Sequence, residues 1–323
     1  MSDDHSQPST QSGRSPASWE RELLERFAFE ALKEQRRSRR WGTFFKLATL
    51  AYVTLLVGML LPSIWKDSIG SPDKITALVD INGVISSESE ASADSVVTGL
   101  RAAFKNDKTA GVIVRINSPG GSPVQAGYIN DEIYRLKQEY PDIPLYAVIR
   151  DVCASGGYYI AVAADEIYAD KASMVGSIGV RMDSFGFVEA LDKLGVERRL
   201  LTAGQHKGFL DPFLPVREEE VDHISTLLGD VHQQFIDTVK KGRGDRLKNS
   251  PLLFSGFVWT GAQGLELGLV DRLGSSGYVA REIIGAEDIV DFTTRVSYLD
   301  RFARGVGASI TAALETAFRA EIR

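Results

Sequence analysis

From residue 75 onward, apolar residues alternate between short unbroken runs and stripes spaced three and four apart. The runs at 75–85, 111–117 and 145–149 are rich in Val and Ile and read as strands. Between them, 92–104 and 124–140 carry helical spacing, the second through Ile129, Ile133 and Leu136. Residues 166–169 read as a further strand, 174–180 as a strand or a turn and strand, 185–194 as a helix and 197–202 as a strand. A long charged helix is expected over 217–241, suited to packing between subunits. A turn, a short helix and a strand follow over 258–271. Strands buried on both faces and separated by helices predict an α/β fold around a mostly parallel sheet. The last thirty residues carry a helical pattern, with Leu299, Phe302, Val306, Ile310 and Leu314, and no role attaches to it.

The N-terminal part follows other rules. Residues 1–18 are polar and have almost nothing to bury, so they are expected to be disordered. Residues 19–32 place Leu23, Leu24, Phe27, Ala28, Ala31 and Leu32 at helical spacing. Residues 33–40 hold five Lys or Arg, and directly after them 44–65 is a 22-residue apolar stretch with Lys46 as its only charge. At about 1.5 Å per residue such a helix spans roughly 33 Å, enough for a hydrocarbon core. Trp41 and Trp65 stand at its two ends, where interfacial aromatics belong. The expected organisation is a basic cytoplasmic tail (1–40) and a transmembrane anchor (41–65) in contact with membrane lipid. Everything after residue 65 then lies outside the inner face, as an α/β unit followed by a C-terminal extension (293–323).

Charge and composition narrow the function. A net charge of −6 and a pI near 5.4 give no basic footprint for nucleic acid. Cys153 is the single cysteine, which excludes an intrachain disulfide and a multi-cysteine metal site. Four histidines (His5, His206, His223, His232) show no metal-binding spacing, so neither a metal nor a cofactor is expected.

Ser155 lies in Ala-Ser-Gly-Gly after an expected strand and before an apolar Ala-rich run. Such a turn sets a hydroxyl at a helix N-terminus, where free N–H groups stabilise negative charge. An alcohol also needs a base. His223 and His232 sit on a charged helix and read as solvated, which leaves His206 and Lys207 in a Gly-bounded loop. Lys207 has Leu201, Phe209, Leu210 and Phe213 nearby in sequence, a setting that could desolvate an ammonium and make it a base. An exposed charge is the plain alternative. Residues 118–122, Ser-Pro-Gly-Gly-Ser, supply a glycine turn whose N–H groups, with that of Gly156, can cradle an oxyanion. Cys153 reads as a small buried residue rather than a rival nucleophile.

Four segments in this order (Asn-Ser-Pro-Gly-Gly-Ser at 117–122, Ala-Ser-Gly-Gly-Tyr-Tyr at 154–159, Val-Gly-Ser-Ile-Gly-Val at 175–180, Thr-Ala-Gly-Gln-His-Lys at 202–207) resemble the signal peptide peptidase A family. These are bacterial membrane-anchored serine–lysine peptidases, and the resemblance covers about residues 72–292. It implies Ser155 as nucleophile, Lys207 as general base and Ser177 as the group orienting that lysine. It further implies an oxyanion hole at Gly120, Gly121 and Gly156, with cleaved signal peptides as substrates. A ClpP/crotonase-like fold of stacked ββα units is implied too, in a ring-like homo-oligomer of short chains whose catalytic unit faces the periplasm. Two other readings of such a fold stand beside it, an acyl-CoA enzyme and a non-catalytic membrane scaffold.

Overall fold

A computed structural model describes residues 41–55, 57–58 and 73–294. The chain divides into two compact units, Met1–Ser71 and Pro72–Arg323. In the first, residues 41–55 are helical and exposed along their length. Among the described residues no helix is long and apolar enough to cross a membrane. Residues 59–65 of the expected span, the tail before it and the extension after 294 lie outside the described residues.

The second unit is built on an eight-stranded mixed sheet that is mostly parallel. Its elements begin with β1 (Ile75–Asn82), α1 (Ala93–Lys105), β2 (Thr109–Ser118), α2 (Pro123–Glu139) and β3 (Leu145–Ala154). They continue with α3 (Gly156–Ala161), β4 (Glu166–Ala169), β5 (Met174–Gly176), α4 (Val188–Lys193) and α5 (Glu218–Arg243). Last come β6 (Val258–Thr260), α6 (Gly261–Leu267), β7 (Arg272–Leu273) and β8 (Ile289–Asp291). The strand order is β6-β5-β3-β2-β1-β8, with β4 joining β3 to β7. Only the β5–β6 pair is antiparallel.

The central strands are apolar on both faces because both faces are covered. Ala77, Val79, Ile81, Val112, Val114, Ile116, Ala147 and Ile149 point into the main core, with Leu100, Phe104, Ile129 and Ile133 from α1 and α2. The alternate residues Leu78, Ile113 and Val148 meet Tyr168, Val279 and Ala280 on the other side. This is the period-two alternation of a strand, with apolar residues in both phases.

β3 changes partners along its length. Tyr146–Val148 pair with β4, and Val152–Ala154 pair with β5. Between them the register against β2 slips, from Ile116↔Ile149 to Ser118↔Cys153. Asn117 Oδ1 accepts the Val152 N–H there (3.2 Å), which satisfies backbone that the ladder leaves unpaired. The slip carries the end of β3, and the residue after it, towards the turn that ends β2.

Two expected elements differ. The strand expected over 197–202 is irregular and largely exposed. No strand of the described sheet pairs with it, and without a ladder the segment does not become a strand. The strand expected over 174–180 stops at Gly176, because Gly176 (φ +102°) and Ser177 (φ +52°) turn the chain out of the sheet.

Candidate active site

Ser155 follows the last residue of β3 and precedes the first of α3. Its backbone is at φ +50°, ψ −122°, a sparsely populated conformation for a residue with a Cβ. The strain is about 1–3 kcal/mol and persists only where neighbours fix the chain from several sides. Here the Ser155 N–H donates to Gly176 O (2.9 Å) and the Tyr159 N–H to Ser155 O (3.0 Å). The side chain is partly exposed, and its Oγ has no hydrogen-bond partner among the described residues. The result is a hydroxyl held at a turn, free to react.

Because β2 and β3 are parallel neighbours, the turns that follow them lie at one edge of the sheet. The Gly120–Gly121 turn therefore packs directly against Ser155. A Cβ on Gly120 would stand 2.7 Å from Ser155 Cβ and 2.7 Å from Gly156 N, so no other residue fits. Gly121 is pressed on its other side against the chain that follows β1, where a Cβ would stand 2.1 Å from Ile85 O. The turn is stitched there by Ile85 N–H to Gly120 O (2.9 Å) and Ser122 N–H to Ile85 O (2.8 Å).

These bonds separate the roles of the three glycines. The Gly120 N–H donates to Ser118 Oγ (3.1 Å), so Gly120 supplies space rather than a donor. The N–H groups of Gly121 and Gly156 have no acceptor among the described residues. They are also close, since a Cβ on Gly156 would stand 3.4 Å from Gly121 N. Two free N–H groups flanking a free hydroxyl make up the donor set of an oxyanion hole.

Ser177 is tied to the same cluster. It follows Gly176, whose carbonyl receives the Ser155 N–H, and its own N–H donates to Phe257 O (2.8 Å). Ser155, Ser177, Gly120, Gly121 and Gly156 are thus brought together within one chain.

Lys207 stands apart from this set. It sits in a turn closed by its N–H to Gly204 O (3.1 Å), exposed, with no ion pair and no hydrogen bond to Ser155 or Ser177 among the described residues. Leu201, expected to help desolvate it, is 96% exposed, and Phe209 and Leu210 are half-buried. His206 is exposed too, 3.9 Å from Glu219. Cys153 is fully buried and its thiol is pushed far up by that burial, which suits a core residue and not a nucleophile.

Sequence reasoning missed three contributors. Ile85 closes the glycine turn, Phe257 receives the Ser177 N–H, and His232, read as solvated, is half-buried with Nε2 3.2 Å from Ile178 O. None carries a local signature, because each acts through the backbone of a distant segment.

Comparison with known proteins identifies the family. Peptidase family S49 matches residues 137–288, which include Ser155, Ser177 and Lys207. A Brucella abortus protein named Na(+)/H(+) antiporter NhaA is 46% identical over 186 residues, 58% of this chain and 25% of that protein. An Enterococcus faecium protein provisionally named signal peptide peptidase SppA is 31% identical over 215 residues, 64% of this chain and 62% of that one. The chain thus spans a quarter of the first relative and under two thirds of the second. A Synechocystis protein provisionally named protease slr0021 is 34% identical over 213 residues, 66% of this chain and 74% of that protein. By these matches the chain belongs to peptidase family S49, the signal peptide peptidase A family of serine-type peptidases.

Proposed function

We propose that this protein is a membrane-anchored endopeptidase that uses Ser155 and Lys207 to degrade short apolar peptides such as cleaved signal peptides. The observation that carries the reading is the free Ser155 hydroxyl flanked by the unengaged N–H groups of Gly121 and Gly156. Lys207 Nζ, as the neutral amine, takes the proton from Ser155 Oγ as Oγ bonds to the scissile carbonyl carbon. The carbonyl oxygen becomes the oxyanion and rests on the two N–H groups. Collapse of the intermediate expels the amine, which receives the proton back from Lys207. Water, deprotonated by Lys207, then releases the acyl group and restores Ser155.

The exposure of Lys207 and its apolar neighbours supports a site completed by association. A second copy packed over the arm would bury Leu201 and the lysine, and repetition of that contact closes a ring. The change of partners along β3 supports the ClpP/crotonase-like stacking of units. Residues 44–65 support an inner-membrane anchor, with residues 1–40 cytoplasmic and the catalytic unit periplasmic, close to where apolar peptides leave the bilayer.

The test is cleavage of a fluorogenic apolar peptide by the detergent-solubilised protein, beside Ser155→Ala and Lys207→Met. Both variants are expected to be inactive, and a fluorophosphonate is expected to label Ser155 in the wild type. Full activity in Lys207→Met would move the base elsewhere, with His206 next in line. A wild type that is inactive and unlabelled would sink the peptidase reading and favour the scaffold.

A further inference from the structure

Three residues around the site have positive φ, and two of them, Ser155 and Ser177, carry a Cβ. Gly176 is at φ +102° and Ser177 at φ +52°, and Ser155, at φ +50°, donates to Gly176 O. Conformations of this kind survive only where the surroundings over-determine them. The glycine cradle and α3 fix Ser155 from one side. What fixes the 176–178 turn from the other side comes from two elements late in the chain.

The first is β6, which pairs with β5 through Val175↔Trp259 and Gly176↔Val258. Just before β6, Phe257 O accepts the Ser177 N–H (2.8 Å). The Trp259 indole lies against Gly176, where a Cβ would stand 3.0 Å from Trp259 Cδ1 and 3.6 Å from its Nε1. That Nε1 is buried and has no hydrogen-bond partner among the described residues. A buried, unmatched donor is destabilising, so the ring's place is not explained by its own hydrogen bonding. What the ring does meet there is Gly176. The second element is α5. His232 Nε2 lies 3.2 Å from Ile178 O, one residue past Ser177. A carbonyl can only accept, so Nε2 donates, whether the ring is neutral or charged. The segment that supports Ser155 and carries Ser177 is thus flanked by a backbone carbonyl, the Cδ1 and Nε1 atoms of an indole and an imidazole N–H.

We propose that His232 and Trp259 are positioning residues that hold the Gly176–Ile178 turn, and through it Ser155 and Ser177, in the geometry that acyl transfer needs. The inference rests on Ser155 being the nucleophile. Neither residue touches the reacting atoms, so their loss acts on kcat. A displacement of the nucleophile on the order of 1 Å lowers rate by roughly 10- to 100-fold. Binding of the peptide, made elsewhere, is left intact.

The experiment compares His232→Ala, His232→Gln, Trp259→Ala and Trp259→Phe in the full chain, with Ser155→Ala as control. Its readouts are kcat, KM and the rate of Ser155 labelling by a fluorophosphonate. The two alanine variants are expected to lose roughly 10-fold or more in kcat and in labelling rate, with KM within about twofold. His232→Gln keeps a donor and Trp259→Phe keeps a ring against Gly176, so both are expected to recover most of the rate. Trp259 is the only tryptophan past residue 65, so replacing Trp19, Trp41 and Trp65 by Phe leaves it as sole emitter. Its emission is expected to change when Ser155 is phosphonylated, a readout that needs no substitution in the clamp if Trp259→Ala does not fold. Wild-type labelling rates in His232→Ala, or an unchanged emission, overturn the positioning role while leaving Ser155 as nucleophile. Full activity in Ser155→Ala overturns the nucleophile assignment and the positioning claim together.

Discussion

The two halves of the site are built to different standards. Around Ser155 the backbone is tied by bonds to Gly176 and Tyr159 and the glycine turn by bonds to Ile85, and 2.7 Å is all that separates a hypothetical Gly120 Cβ from that of Ser155. Around Lys207, residues 193–207 are exposed almost throughout, with Leu194 at 75% and Leu201 at 96%. One half is finished within a single chain, and the other presents apolar side chains to nothing. A nucleophile needs geometry, which strands and glycine turns supply locally. A lysine base needs desolvation, which takes covering surface that the arm lacks. The difference teaches that the first half is a property of the fold, and it is why we propose that the second is completed by an assembly.

The sharpest way to break that comparison is subunit complementation. Ser155→Ala and Lys207→Met are each expected to lose activity by about 10⁴-fold or more. If the lysine reaches the serine of a neighbouring copy, co-assembling the two inactive variants in equal amounts regenerates intact sites. With random mixing, roughly a quarter of the sites carry both groups, and about that share of wild-type activity returns. A mixture as inactive as its parents would place both groups within one chain. Next in size is Gly120→Ala, aimed at the finished half. The new methyl must displace Ser155 or the Gly156 N–H, so kcat is expected to fall by about 10²–10³-fold with a clear loss of thermal stability.

How much of this was legible in the sequence follows the same line. The parallel sheet, the order of strands and helices up to Ser155 and the glycine turn could all be read, because periodicity and glycine placement are local signals. Ser155, Gly121 and Gly156 were visible as a pattern since each belongs to a turn of defined chemistry. Gly120 was visible as well, but its donor is bonded to Ser118 Oγ, and only coordinates separate a glycine kept for space from one kept for its N–H. The strand expected over 197–202 failed because pairing, not propensity, decides whether a β-branched-poor segment becomes a strand. His232, Phe257 and Trp259 were invisible because their contacts are to backbone atoms about 54 to 83 residues away in sequence, with no side-chain code.

A smaller effect sharpens the view of the arm. Leu201→Asp places a charge on a side chain that touches almost nothing in the single chain, so the melting temperature of the isolated unit is expected to shift little. In the assembled enzyme the same charge would be buried at a contact, and activity is expected to fall together with the oligomer seen by light scattering. Lost activity with intact assembly would mean that Leu201 serves the substrate and not a neighbour.

The smallest expected effect lies behind the finished half, in α2, whose first turn follows the oxyanion glycines. Glu132, nearly buried, receives hydrogen bonds from Arg135 and Arg101, and these hold its carboxyl at about 2 against an ordinary 4.5. A carboxylate whose folded-state value is depressed contributes stability above its unfolded value and loses it as pH falls through the folded one. The α1–α2 tie is therefore complete at pH 6 and fades between about 4.5 and 2. Glu132→Gln removes it at every pH. The melting temperatures of the two proteins should differ most above pH 5 and converge towards pH 2, with the variant less stable throughout. The arm's ion pairs, such as Arg199 with Glu197, are exposed on both sides and should give no comparable difference when neutralised. A gap that persists undiminished at pH 2 would assign the effect of Glu132→Gln to packing and remove the electrostatic tie from the account of how α2 holds the oxyanion turn.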